Sequence, residues 1–352
     1  MAVKYCQLAG LALMVTAVQL IAGATGNAHV LTQLTMTAYY SILVIGLCML
    51  IGYAGQISMG HAGFFSIGGY LSAILTTFDF SRFKDQSLVA LFRKSGLMLQ
   101  RTDIYGGDHL VFHPWTACLA AVGAALVVAY LVGGPVLRLK GHYLAMATLG
   151  FGTIIYRIVL GTATLGAADG ITDVPPLPLL PGVEITGNAA GRIVNYYLSW
   201  AMVALGMLLL INLVNSRAGR ALSAIHGAED AADSMGIPTT KYKVRVFVLS
   251  AVFAALAGVM MTHYNGGIGP SEASIMKSVR YVAIVAIGGM SNLWGALSMS
   301  LILNYLSLRG TFGTYDDAVF GVILIVIMLF APEGIIRKQL LNDLRSMFRR
   351  VS

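Results

Sequence analysis

The sequence predicts an all-α fold, a polytopic helical membrane protein, and three observations carry that prediction. Hydrophobic residues make up 57% of the chain and charged residues 11%, where soluble domains carry about 25% charged; the mean hydropathy is +0.77. The apolar residues come in uninterrupted runs, such as AVGAALVVAYLVGGPVL and FGVILIVIMLF, close to the length a membrane-spanning helix requires. These runs do not alternate apolar with polar, as the strands of an outer-membrane barrel would. Unpaired backbone groups in hydrocarbon cost several kcal/mol each, so such runs read as helices.

Ten candidate spans follow in order, near 8–23, 31–52, 62–78, 115–137, 142–162, 194–214, 245–264, 279–290, 294–309 and 317–331. About eight to ten transmembrane helices are expected, some of them short or broken. The eighth run is too short to cross unaided. The first run is expected to be a retained span rather than a signal peptide, because it is about as long as a span needs and MVTAVQLIAGATG offers no sharp cleavage site.

An even number of spans puts both termini on one side. Basic residues collect at the cytoplasmic ends of spans, and the tail holds Arg337, Lys338, Arg345, Arg349 and Arg350. Both termini are therefore expected in the cytoplasm, with 332–352 as a basic tail. The basic stretches Arg138–Lys140 and 215–244 then also face inward. The connection 79–112 falls on the outside although it holds Arg82, Lys84, Arg93, Lys94 and Arg101, against the charge rule. A second outer connection, 163–193, carries four of the nine prolines, which exclude regular helix and stiffen the segment; an ordered loop is expected. The net charge of +8 would raise nucleic acid as a partner of a soluble protein. Here it marks the inner flanks of spans, and the expected surroundings are the lipid bilayer, with no nucleic acid. Cys6, Cys48 and Cys118 show no metal spacing and read as small core residues.

GYAGQISMGHAGFFSIGGY, from Gly52 to Tyr70, places glycines in an apolar region. Glycine lets a helix break inside protein and lets helices approach closely. Gln56, Ser58 and His61 put hydrogen-bonding groups beside that break, and with Phe64 they are the candidate transport-pathway or broken-helix residues. The alternative is a crowded helix contact whose polar groups are satisfied by neighbours. No second ligand is spaced to make His61 a metal site. A weak internal echo, AIGGMSNLWGALSMS, has glycines, a polar patch and a small residue opening an apolar helix, as inverted repeats in transporters do.

Ser216–Val252 is the longest polar stretch expected inside. Ala218, Ala221, Leu222, Ile225, Ala228 and Met235 fall at helical spacing as a small apolar stripe. Gly227 breaks it, Glu229 and Asp230 open a second short helix where negative charge suits the helix dipole, and Gly236 with Pro238 stops that helix. Such a face either docks in a groove of a partner or lies on the membrane. No GxxxxGK[ST] occurs, so the chain itself should not hydrolyse ATP. No Ser/His/Asp, CxxC or HExxH constellation stands out, and no enzymatic activity is expected.

Together with LRLKGHYLAMATLGFG, GGMSNLWGA and APEGII, these stretches resemble the LivM-type membrane permeases of branched-chain amino acid ABC importers, a binding-protein-dependent family that also includes LivH-type and urea permeases. The likeness runs in order from about residue 35 to 337. It implies one permease domain over 1–352 in a bacterial or archaeal inner membrane, passing branched-chain amino acids by alternating access. The same architecture importing urea, amides or another small organic solute is the alternative. The implied partners are a homologous LivH-type permease, two ATPase subunits and an extracytoplasmic substrate-binding protein. ATP and Mg would be used by the ATPases, and no cofactor is expected on this chain. DAADSMG resembles the permease coupling motif, whose usual form is Glu-Ala-Ala, three residues, then Gly. Asp230 replaces the Glu, Glu229 stands one step earlier, and Ala231, Ala232 and Gly236 match. The resemblance therefore gives ATPase coupling to Glu229, Asp230, Ala231, Ala232 and Gly236. Two departures stand out. The 79–112 connection is longer than the family usually shows, and LGAADGITDVPP keeps only Gly170 and Ile171 of the common Thr-Gly-Gly…Gly-Ile pattern, which leaves the substrate open.

Two other classes meet obstacles. A stand-alone secondary transporter usually places ionisable residues inside its spans, and these spans hold almost none away from their ends. A membrane enzyme needs acid, base or metal ligands clustered at depth. Of the seven histidines, only His61 lies well within a glycine-rich core.

Overall fold

Apolar runs become helices α1 (Ala2–Ala24), α2 (His29–Cys48), α3 (His61–Thr77), α4 (Ser87–Lys94), α5 (Pro114–Val136), α6 (His142–Gly161) and α7 (Arg192–Asn215). Two short helices follow, α8 (Arg217–Gly227) and α9 (Glu229–Ser234). Then come α10 (Thr239–Asn265), α11 (Ile275–Gly288), α12 (Leu293–Leu308) and α13 (Asp316–Phe330). The computed structural model describes residues 2–83, 87–102, 108–139, 141–180, 182–311 and 313–330; the basic tail at 332–352 and the APEGII stretch lie outside them.

Each of the ten expected spans is met by a helix. Among the described residues six are long and apolar enough to cross a membrane: α1, α2, α5, α6, α7 and α10. The others are shorter, with 17 residues in α3, 14 in α11, 16 in α12 and 15 in α13. The eighth run was expected at 279–290. Its helix begins earlier, at Ile275, because Ser274 caps it by accepting the Lys277 amide at 3.3 Å.

Helix α2 forms the centre: its span is 94% buried within the chain, whereas that of α1 is 17% buried and mostly faces outward. Helix α10 packs against α2, and α3 packs against α10 at backbone contact. A Cβ on Gly258 would lie 2.0 Å from the Phe65 carbonyl oxygen, and one on Gly68 would lie 2.3 Å from that of Ala255. Only glycine permits this approach, the small-residue packing expected of helices in lipid.

The described parts of the connections 79–112 and 163–193 meet and form one cap. The 79–112 connection holds α4 and a hairpin, β1 (Met98–Thr102) antiparallel to β2 (Asp108–Phe112), with Met98 opposite Phe112. The 163–193 connection holds a second hairpin, β3 (Leu177–Leu180) with β4 (Val183–Ile185). These strands are small additions to an otherwise helical chain. The connections touch where Trp115 Nε1 donates to the Pro178 carbonyl at 2.5 Å and Arg101 donates to that of Asp173 at 3.1 Å. Ile171 pairs with Ile268 just past α10, so the cap is joined to the core. Helices α8 and α9 lie at the opposite end, beside the close of α2 and the start of α10.

Candidate functional site

The glycine-rich stretch breaks the helix as its composition predicts. Helix α2 ends in a π-helical turn, Met49–Tyr53. The next residues are irregular, Gly55 takes a φ of +67°, and α3 starts at His61. The freed backbone groups find partners. The Gln56 amide donates to the Leu50 carbonyl at 3.1 Å, the Met59 amide to Thr148 Oγ1 at 3.0 Å, and the Ala62 amide to Ser278 Oγ at 3.2 Å. The last is an otherwise orphaned donor at a helix start.

The candidate pathway residues are packed and satisfied. Ser58 Oγ lies 3.1 Å from His61 Nδ1, and His61 Nε2 lies 2.7 Å from Ser250 Oγ on α10. Gln56 Nε2 donates to the Ala54 carbonyl at 3.1 Å. The Phe64 ring sits 4.8 Å from Phe151 and 5.6 Å from Phe247, centre to centre. Ser58, His61 and Phe64 are at most 1% exposed and Gln56 is 8% exposed. In this conformation the four are packed inside the chain. The echo stretch meets the break directly: Cys48 Sγ donates to the Met290 carbonyl at 3.4 Å, Tyr53 Oη donates to that of Ser291 at 2.9 Å, and a Cβ on Gly52 would fall 1.5 Å from the Met290 oxygen.

At the α8–α9 end, Ser216 Oγ caps α8 by accepting the Gly219 amide at 3.3 Å. Gly236 closes α9 in the left-handed region at φ +79°. The five coupling candidates divide by direction. Glu229 turns inward, its Oε2 2.5 Å from Lys243 Nζ on α10, and Ala232 is buried. Asp230, Ala231 and Gly236 are exposed. The predicted stripe is corrected in part. Leu222 and Ile225 of the stripe are buried and Ala218 and Ala221 half-buried, whereas Ala228 is exposed and Met235 is 72% exposed, because the break at Gly227 turns α9 relative to α8. Helix α8 also reaches the broken segment, since a Cβ on Gly55 would lie 2.7 Å from His226 Nδ1. The short helices thus touch α10 through Glu229–Lys243 and the break through His226–Gly55.

Three features escaped sequence reading. Lys243 is 2% exposed, yet in sequence it looks like Lys241 and Arg245 beside it, which are exposed. His263 is a second core histidine, which corrects the reading that His61 stands alone. Its Nδ1 lies 2.7 Å from the Pro175 carbonyl and its Nε2 2.7 Å from Ser72 Oγ. A carbonyl only accepts, so Nδ1 carries the proton and Nε2 accepts from Ser72. The third feature is a group of ionisable residues around α11. Lys277 Nζ lies 3.1 Å from Glu272 Oε1. Arg280 pairs with Asp316 and donates to Ser307 Oγ at 3.0 Å. These charges lie before or at the ends of the expected spans 279–290 and 317–331, and α11 takes Lys277 into its first turn because it starts earlier than its apolar run.

The family model described as branched-chain amino acid transport system / permease component matches residues 29–331. The chain is 30% identical over 324 residues to the high-affinity branched-chain amino acid transport system permease protein LivM of Salmonella typhimurium, covering 86% of this chain and 68% of that one. It is 25% identical over 318 residues to the corresponding LivH protein of the same organism, covering 86% and 92%. It is 26% identical over 328 residues to the permease protein BraD of Pseudomonas aeruginosa, covering 88% and 96%. No solved structure matches the chain.

Proposed function

The chain belongs to the branched-chain amino acid transport system / permease component family, and from that premise we propose that it is the membrane permease subunit of an ATP-driven importer passing branched-chain amino acids across the inner membrane. It pairs with a homologous LivH-type permease, and solute crosses where the two meet. Two ATPase subunits, which use ATP and Mg, bind at the α8–α9 end, and a substrate-binding protein delivers solute to the opposite cap.

The observation that carries the coupling role is the orientation of α9. Its outward side presents Asp230, Ala231, Met235 and Gly236, while its inward side is tied to α10 by Glu229 and Lys243. A short helix exposed on one side and fastened to a core helix on the other fits a lever seated in a cleft of an ATPase. The same end carries the exposed Arg217, Arg220, Lys241 and Arg245, which supports a cytoplasmic position for it and for both termini. Closure of the ATPases then displaces α9, and the displacement reaches α10 and the break that opens α3. The two states of that movement give alternating access.

The test is to replace Ala231 and Met235 with lysine and purify the assembled complex. The reading expects the chain to stay in the membrane with its partner permease while the ATPases no longer copurify. Intact ATPase association and intact uptake would overturn the coupling assignment.

A further inference from the structure

We propose that Glu272 and Tyr40 form a seat for the α-ammonium group of a transported amino acid, and that the Lys277 ammonium fills this seat until solute displaces it. The inference rests on the amino-acid permease reading and names the part of the pathway that recognises the solute's charge.

The seat lies at depth. Tyr40 sits in mid-α2, roughly 16 Å along the helix from His29 at 1.5 Å per residue, and its ring stacks on Phe65 of α3 at 5.8 Å. Glu272 belongs to a single 3-10 turn, Pro270–Ala273, between α10 and α11, and its Oε1 accepts from Tyr40 Oη at 3.0 Å. A carboxylate at this depth is costly and marks a functional position by default.

The donors and acceptors are not balanced. Glu272 Oε2 is buried with no hydrogen-bond partner among the described residues. Each buried polar group left unmatched costs about 1–3 kcal/mol, and such groups in a native structure call for a reason. An ammonium, with three donors to share, beside this carboxylate supplies one.

Lys277 shows how an ammonium sits there. Its Nζ lies 3.1 Å from Glu272 Oε1, 3.4 Å from Tyr40 Oη and 5.0 Å above the Tyr40 ring. Carboxylate, phenol and aromatic face are the groups that recognise ammonium ions. The Lys277 side chain is 25% exposed, and its flexible stem can withdraw toward that opening. Ile275 and Met276, 39% and 52% exposed, stand just before it on α11 and offer apolar contact to a branched side chain.

The test uses the complete importer in proteoliposomes, with labelled leucine as probe. Lys277→Met is expected to raise uptake at least twofold at limiting liganded binding protein, because the competitor is gone. Glu272→Gln is expected to lower uptake more than tenfold while ATP hydrolysis stimulated by the binding protein persists, and Glu272→Asp to recover part of the loss. The double variant is expected to stay as low as Glu272→Gln alone. A structural ion pair behaves differently, since removing both charges relieves the buried one left by either single change. Recovery of uptake in the double variant, a Lys277→Met variant as inactive as Glu272→Gln, or joint loss of uptake and ATP hydrolysis in Glu272→Gln would each overturn the seat. If the unaltered importer takes up no leucine, the amino-acid permease reading itself fails and the seat falls with it.

Discussion

Glu229 and Lys243 meet at the junction of α9 and α10, with carboxylate and ammonium 2.5 Å apart, and the two ends of the pair are not equally buried: the Lys243 side chain is 2% exposed and that of Glu229 28%. Breaking such a pair costs most when it strands the buried charge. Glu229→Gln leaves an ammonium without its carboxylate inside the chain, a loss of about 3 kcal/mol. Lys243→Met leaves a carboxylate that water can reach. The heat-unfolding midpoint of the purified complex should fall further for Glu229→Gln than for Lys243→Met, and both should lower uptake per ATP hydrolysed. The opposite order of damage would show that the pair does not act as the α9–α10 tie.

The α3–α10 contact predicts a sharp difference between two glycines. A Cβ on Gly258 would lie 2.0 Å from the Phe65 carbonyl oxygen, whereas one on Gly134 meets nothing within 4 Å. Gly258→Ala must move α3 off α10 and should abolish recovery of folded complex. Gly134→Ala should be recovered at the unaltered level. Size-exclusion yield of the solubilised complex measures both.

How much of this was legible in the sequence differs by feature. Hydropathy alone located a helix for every span, since lipid leaves backbone polar groups no other partner. The break before His61 was legible because glycine and polar residues interrupt an apolar run. Lys243 was not, because burial depends on what packs against it: Lys241 and Arg245 have the same chemistry and lie exposed. Glu272 and Lys277 were missed for a related reason. The Ser274 cap and the turn before it carry α11 beyond its apolar run, drawing charged residues into the packed part of the chain. The outward turn of Met235 depends on the angle between α8 and α9, which periodicity within one helix cannot supply.

The broken segment yields a prediction about access. Ser58 and His61 are each 1% exposed, and the native Cys48 and Cys118 are buried. A cysteine placed at either position should resist a hydrophilic thiol reagent in the resting complex. Labelling that rises several-fold during ATP turnover would show that this segment opens in the transport cycle. Equal protection in both states would make it static packing, the displacement of α9 then passing through α10 alone.

Asp79 makes the cap sensitive to pH only at strong acidity. Partial burial pulls its carboxyl up, but hydrogen bonds from the Ser81 hydroxyl and amide, the Leu110 amide and His109 outweigh that and hold it well below the usual carboxylate range. A depressed folded value means that its stabilising effect is complete above the ordinary carboxylate value of about 3.9 and fades as pH falls below it. The exchange protection that Asp79 confers on the Leu110 amide, taken as unaltered chain minus Asp79→Asn, should be flat from about pH 8 to 5 and shrink below about pH 4. A difference that vanishes already at pH 6 would contradict this sign and window.

Accumulation of labelled leucine by reconstituted proteoliposomes tests the central claim most directly. With this chain, its partner permease, two ATPases and the binding protein present, uptake should exceed the equilibrium level only when ATP is on the α8–α9 side and binding protein on the cap side, and omitting either should abolish it. Uptake by this chain alone, without ATP or partners, would contradict the account.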